Sequence, residues 1–482
     1  MLFSSFEFLF LFLPVVFLLF RLLQTVAPTR VLISFLLLAS IVFYGWWKVE
    51  FLPLILGSIL VNFLLGKVLA ARRQSSSSRW VLGCGVVMNL SFLVYFKYAH
   101  FLTTQLSSFG VPVIAQGILP LGISFFTFQQ LTYLVDVYRG KEEENSFTTY
   151  ALFVSFFPHL IAGPITHHGQ ILNQLRRLGS GFRSNINFAS GLGVFAMGFC
   201  KKLLIADELG PVADAVFGSL HAGVALSIND HWMGTLAYTL QLYFDFSGYS
   251  EMALGLGLMF GVRFPANFLS PYKSKSIIEF WRRWHMSLGW FLREYVYYPL
   301  GGSRKGPVRR YVNLFMVLLI SGIWHGSGWT FIVWGIGHGL LLVGNHWWRH
   351  HTAFRGKLYD FTCHFATLMA VIAGWIVFRS ASIPDACAMF RGLFVTRGEV
   401  VSVVDNNHWM WIAVAGLICL FMPNVIEIWS KYRPCLSLDK DLLRKSFWTA
   451  RLNARWGLII ALLLYVGICR FSRVSPFLYF EF

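Results

Sequence analysis

The chain has 482 residues, of which 56% are hydrophobic and 17% aromatic, while only 13% carry a charge. That is more apolar surface than a water-soluble globule of this length buries, so a soluble enzyme is excluded and an integral membrane protein is indicated. A formal charge of +18 would also suit nucleic acid or anionic lipid, but membrane topology explains it first, and no nucleic-acid partner is expected.

In chain order, apolar runs occupy Phe8–Leu23, Val31–Trp47, Phe51–Ala71, Trp80–Tyr98, Thr235–Gly261, Val312–Trp324, Trp329–Trp347, Phe361–Val377, Trp409–Ile428 and Leu458–Phe471. Each approaches the ~20 residues that a spanning helix needs, so the fold class is an all-α polytopic membrane protein. The first run follows Glu7 rather than a basic segment, and no small-residue cleavage site succeeds it, so it reads as a retained helix. Lys and Arg gather in alternate loops, among them Lys67–Arg79, Arg263–Arg310 and Lys431–Arg455, whereas Tyr98–Gly117 is poor in them. The positive-inside rule makes the basic set cytoplasmic and puts both termini outside. The seven cysteines are scattered, with neither disulfide nor metal spacing. The stretches QSSSSR (Gln74–Arg79) and KEEENS (Lys141–Ser146) read as solvated loops. Residues 1–482 form one membrane domain, with its informative region at about 120–350 and peripheral helices at 1–117 and 358–482.

Between Arg263 and Arg310, apolar and cationic residues are interleaved. Ser276 with Glu279 makes a capping-box pattern, and Pro299 with Gly301 and Gly302 closes the segment, which predicts a helix over Ile277–Tyr298. Trp281, His285, Leu288 and Leu292 would share one inward face, with Arg282, Arg283 and Arg293 turned to water or headgroups.

A second histidine, His325, stands in the apolar stretch LISGIWHGSGWTF (Leu319–Phe331). A buried histidine bonded to a carbonyl is the bland reading of either one alone. In a membrane core, ionisable groups at depth usually mark a pathway or site. An imidazole, with its unperturbed pKa of ~6.5, can take the proton of a hydroxyl attacking an acyl carbonyl. Metal binding needs more converging ligands, and neither HxxxH nor HExxH accompanies the pair, so no metal site is expected. His350 and His351 read as solvated, and His338 and His346 as helix packing.

The blocks YFDFSGYSEMALGLGLMFGVRFPANF (Tyr243–Phe268), SIIEFWRRWHMSLGWFLREYVYYPLGG (Ser276–Gly302) and SGIWHGSGWTFIVWG (Ser321–Gly335) resemble the membrane-bound O-acyltransferase (MBOAT) family. The opening MLFSSFEFLFLFLP, the segments PLGISFFTFQQLTYLVDVYRG and FFPHLIAGPI, and the ending SPFLYFEF resemble its bacterial alginate O-acetyltransferase branch. The resemblance implies a core of about 11–13 transmembrane and re-entrant helices around a tunnel joining the two membrane faces. It implies that His325 is catalytic and His285 a second polar site residue. It further implies acetyl transfer from a cytoplasmic donor, acetyl-CoA, to an extracytoplasmic polysaccharide such as alginate, with no bound cofactor and with separate extracytoplasmic acetyltransferase partners. His159, Thr166, His167 and Glu251 depart from the family pattern.

Arg282 and Arg283 are candidates for holding the donor's phosphates. Asp245 either steadies a histidine or lines the tunnel, or else pairs with an inward arginine such as Arg282. Tyr249, Glu251 and Asn267 are further candidates for tunnel or support, and Trp324 for packing beside the histidine. Alternatives on the same fold are D-alanyl transfer to teichoic acid and acylation of peptidoglycan or a lipid. A non-enzymatic transporter with a histidine relay is the other class.

Overall fold

The computed structural model describes residues 1–73, 75–141, 144–161, 163–178, 185–352, 354–395, 400–436, 440–443, 446–471 and 477–478. Gln74, Glu142, Glu143 and Ala162, and all of the closing SPFLYFEF except Phe477 and Leu478, lie outside the described residues.

Inside a bilayer every backbone N–H and C=O must be satisfied within the protein, which favours helices. The described residues form helices throughout, with one isolated bridge between Leu226 and Val401. Among the described residues, five helical stretches are long and apolar enough to cross a membrane: Glu7–Val26, Val49–Ala71, Ser78–Phe109, Asn185–His221 and Lys357–Arg379. Large apolar side chains such as Leu18, Leu38, Val87 and Phe361 project outward from the molecule. Exposed apolar surface on this scale is a lipid-facing surface.

The described helices that position the interior site include α1 (Leu52–Ala71), α2 (Ser78–Leu93), α3 (Ile123–Tyr138), α4 (Asn185–Cys200), α5 (Ile228–Met259), α6 (Ile277–Arg283), α7 (Met286–Leu292), α8 (Gly306–His325), α9 (Trp329–His351) and α10 (Lys357–Arg379). The 32-residue α5 starts where the Ser227 hydroxyl accepts the Asp230 N–H, and it is buried along nearly its whole length. It is the central pillar of the protein. Its closeness to α4 depends on paired glycines, since a Cβ on Gly198 would stand 2.5 Å from the Gly248 carbonyl oxygen and one on Gly191 2.6 Å from that of Gly255. Small residues let helix backbones approach in this way where lipid offers no hydrophobic drive for association.

The single helix expected over Ile277–Tyr298 is broken. It ends at Arg283, resumes at Met286, and winds into a π turn over Arg293–Tyr297. His285 sits in the break with φ +42. The cause is competition from the chain at Asn267–Leu269. The Leu269 N–H donates to the Arg283 carbonyl (3.1 Å) and the Met286 N–H to the Asn267 carbonyl (2.9 Å), so groups that a continuous helix would satisfy are satisfied from outside. Half of the expected capping box forms: the Ser276 hydroxyl accepts the Glu279 N–H (3.1 Å), while the Glu279 carboxylate turns back to the Lys275 N–H (2.9 Å). Arg283 does not face water. It is 4% exposed, pairs with Glu279 (2.9 Å) and donates to the carbonyls of Leu269 and Leu442 (3.1 Å each).

Candidate active site

His325 is the last residue of α8, and His285 lies between α6 and α7. Both are buried, and both rings lie against the same indole. The Trp324 ring centroid is 4.8 Å from that of His325 and 6.2 Å from that of His285. Trp324 is itself locked by stacking on Phe128 at 5.2 Å, and Trp334 and Phe378 close on His325 at 5.3 Å each. Edge-to-face contacts of this kind fix ring planes as well as burying area.

The turn that carries His285 is tied down from three directions. Asn267 accepts the Ser287 hydroxyl through Oδ1 (2.6 Å) and donates through Nδ2 to Ser250 of α5 (3.0 Å). The Ser287 hydroxyl in turn accepts the N–H of Ile165, from the GPI segment (3.0 Å). Distant blocks of sequence thus meet at one histidine.

Cavities open on either side. A small one of about 40 Å³ is lined by His325, Trp324, Lys97 and the Leu119–Phe125 turn. It shares Lys97 and Leu119 with a wider cavity of about 420 Å³, whose walls include His100, Gln105, Gln116 and Ser327. Of these, His100, Gln105 and Gln116 come from the segment Tyr98–Gly117, which is poor in basic residues. A third cavity, of about 350 Å³, lies against the His285 turn at Met286 and Ser287 and is lined by His167, Gln170, Arg282 and Arg293. Arg282 and Arg293 are exposed at its edge, as expected.

The other candidates are buried in the core around α5. Asp245 pairs with Lys202 (2.8 Å) and accepts the Leu478 N–H (3.0 Å); Lys202, also bound to Asp207 (2.5 Å), therefore takes the place foreseen for Arg282. Glu251 pairs with Lys201 (2.6 Å). Tyr249 is sandwiched between Phe3 at 4.7 Å and Phe477 at 4.5 Å, so segments from both ends of the sequence meet on it.

Asp136, His167 and His168 offer three donor atoms within 4.8 Å of one another, enough to be considered for a metal ion. The Asp136 carboxylate is already engaged by Lys141 (2.9 Å), His167 Nε2 (2.6 Å) and the Tyr295 hydroxyl (2.8 Å), and the His167 Nδ1 accepts the Gly169 N–H. With the Arg139 guanidinium over the Tyr295 ring, the surroundings are cationic and suit a hydrogen-bonded carboxylate better than a divalent cation.

Two residues escaped the sequence reading. His338, taken for helix packing, is fully enclosed by Trp281 (5.3 Å) and Trp334 (4.8 Å) within the same aromatic cluster. Lys97, a lone cation inside an apolar run, was a visible signal by the same rule that picked out the histidines.

The MBOAT family model, membrane-bound O-acyltransferase family, matches residues 121–383. The chain is 39% identical to the probable alginate O-acetylase AlgI of Pseudomonas putida over 507 residues, covering 100% of both chains. It is 44% identical to the protein of that name from Azotobacter vinelandii over 436 residues, 88% of this chain and 84% of the relative. It is 39% identical to the peptidoglycan O-acetyltransferase of Helicobacter pylori over 427 residues, 83% of this chain and 80% of the relative. The chain belongs to the membrane-bound O-acyltransferase family and is an acyltransferase built on an all-α, multi-pass membrane fold.

Proposed function

We propose that this acyltransferase takes acetyl groups from acetyl-CoA at the basic, cytoplasmic face of the inner membrane and passes them across for O-acetylation of an extracytoplasmic polysaccharide such as alginate. The observation that carries the reading is the placement of His285 and His325 against the same Trp324 ring, with a cavity edged by Arg282 and Arg293 next to one and a cavity edged by His100, Gln105 and Gln116 next to the other. The relatives that cover most of this chain are named for O-acetylation of alginate or of peptidoglycan, which favours acetyl over D-alanyl transfer.

In this scheme the cationic cavity receives the phosphates of the coenzyme, and Arg282 and Arg293 do the holding, since Arg283 is committed to Glu279 and two carbonyls. His325 acts as general base. It accepts the proton of the acceptor hydroxyl as that oxygen attacks the thioester carbonyl. When the intermediate collapses, the C–S bond breaks and the imidazolium returns the proton to the departing thiolate. His285 orients or stabilises the group in flight, a role for which one well-placed donor contributes roughly 2.7–4 kcal/mol. Asp245, Tyr249, Glu251, Asn267 and Trp324 support the geometry. Both termini lie on the periplasmic side, and extracytoplasmic partner proteins complete delivery to the sugar.

The test is transfer from radiolabelled acetyl-CoA by purified protein in nanodiscs, with and without His325→Ala. The variant is expected to insert and fold normally yet lose transfer by at least ~1000-fold. Near-normal transfer by folded His325→Ala would sink the mechanism, and absence of any acetyl-CoA turnover in the intact protein would sink the choice of donor.

A further inference from the structure

The last four carbonyls of a helix have no partner within it. Many helices solve this with a glycine in the left-handed conformation just beyond the end, whose N–H folds back onto the final turn. α8 ends at His325 and a glycine follows, but Gly326 is extended, with φ −162 and ψ 160. The final carbonyls are satisfied by side chains from another part of the chain instead. The Tyr98 hydroxyl donates to the Ile323 carbonyl (2.6 Å), and the Lys97 ammonium donates to the carbonyls of Trp324 (2.7 Å) and His325 (2.9 Å).

Lys97 is an expensive way to cap a helix. It is 9% exposed, sits in an otherwise apolar stretch, and is presented by a single π turn, Val94–Tyr98, that interrupts the long helix beginning at Ser78. π turns of this kind recur at functional sites. A cation at depth in a membrane protein commonly has a functional reason to be there. The ammonium also stands 5.7 Å from the centroid of Trp324, the ring that both histidines contact. Lys97 further lines both the small cavity beside His325 and the wide cavity of about 420 Å³ that continues from it.

We infer that Lys97 is a positioning residue for acyl transfer: its ammonium holds the backbone of Trp324 and His325 so that the His325 ring faces the seam between the two cavities. The inference rests on His325 acting as the base. The Lys97 amine has N–H groups enough for both of these carbonyls. A donor at this position complements the negative end of the α8 dipole, and a charged donor holds it more strongly than a neutral one. Displacing a reacting group by about 1 Å can lower a rate by ~100-fold, so a loosened end of α8 should appear in turnover before it appears in donor binding.

The experiment compares Lys97→Met, Lys97→Gln and Lys97→Arg with the intact protein, reading kcat and the KM for acetyl-CoA in nanodiscs and thermal unfolding in the same samples. The expected result is a fall in kcat of about 10- to 100-fold in Lys97→Met with KM changed less than ~3-fold, and recovery of most of the loss in Lys97→Arg. Turnover within ~2-fold of the intact protein in folded Lys97→Met overturns the inference. So does an Arg variant no faster than the Met variant at equal unfolding temperature, because that pattern belongs to a cap that only stabilises. Should Lys97→Met fail to insert, Lys97→Arg and Lys97→Gln decide alone: a faster Arg variant supports the positioning role, and equal rates overturn it. His325→Ala, run alongside, separates the two levels. Its inactivity with a fast Lys97→Met discards only this inference, whereas an active His325→Ala discards the reading on which it stands.

Discussion

His285 occupies a backbone conformation that a non-glycine residue adopts at a penalty of roughly 1–3 kcal/mol, with φ +42. Such a residue persists only where its surroundings over-determine it, and Asn267 does most of that here. Its carbonyl receives the Met286 N–H, its Oδ1 receives the Ser287 hydroxyl, and its Nδ2 reaches Ser250. Asn267→Ala keeps the backbone bond but takes a hydrogen-bond partner from two buried hydroxyls, Ser287 and Ser250, at about 1–3 kcal/mol. The variant should unfold at lower temperature and transfer acetyl about tenfold more slowly, measured by calorimetry and by the radiolabel assay in the same preparation. Asn267 was legible only as one polar residue among several; its role depends on a partner, Ser287, twenty positions away.

At the scale of elements, the close crossing of α8 and α9 sets where His325 ends up. A Cβ on Gly322 would stand 2.4 Å from the Phe331 carbonyl oxygen and 2.9 Å from the Gly335 Cα, and neither backbone atom can move without moving a helix. Gly322→Ala should therefore force the two helices apart at a price of ~1–3 kcal/mol, lowering both the unfolding temperature and the rate. Gly337→Ala, two residues along α9 from Gly335 but with open space around its Cβ, should not lower the unfolding temperature. The glycines around His325 are plain in the sequence. That Gly322 opposes Gly335, while Gly328 makes only ordinary contact, is not.

For the whole molecule, the polar cavities differ in charge. Arg282 and Arg293 edge one, and Lys97, His100, Gln105 and Gln116 line the other. Arginines that hold a donor's phosphates contribute to ground-state and transition-state binding alike, so Arg282→Ala and Arg293→Ala should each raise the KM for acetyl-CoA several-fold with kcat nearly unchanged. Because both guanidiniums are exposed, the effect should shrink as ionic strength rises. Steady-state kinetics at two salt concentrations measures both.

Hydrophobic content, run lengths and the alternation of basic loops determined by themselves that this is a helical membrane protein, because a bilayer leaves a chain few other ways to satisfy its backbone. The two histidines were also legible, since an ionisable group in an apolar run is rare enough to stand out. Tertiary structure alone decided how they are presented. Local periodicity predicted an unbroken helix through His285, yet the Asn267–Leu269 segment outbid the helix for the Arg283 carbonyl and the Met286 N–H and turned the ring with the break. Likewise Asp245 took Lys202, and the end of α8 took Lys97, from more than two hundred residues away in the latter case. Ion pairs and caps of that reach depend on which helices pack together, and packing is a property of the whole fold that no local pattern encodes.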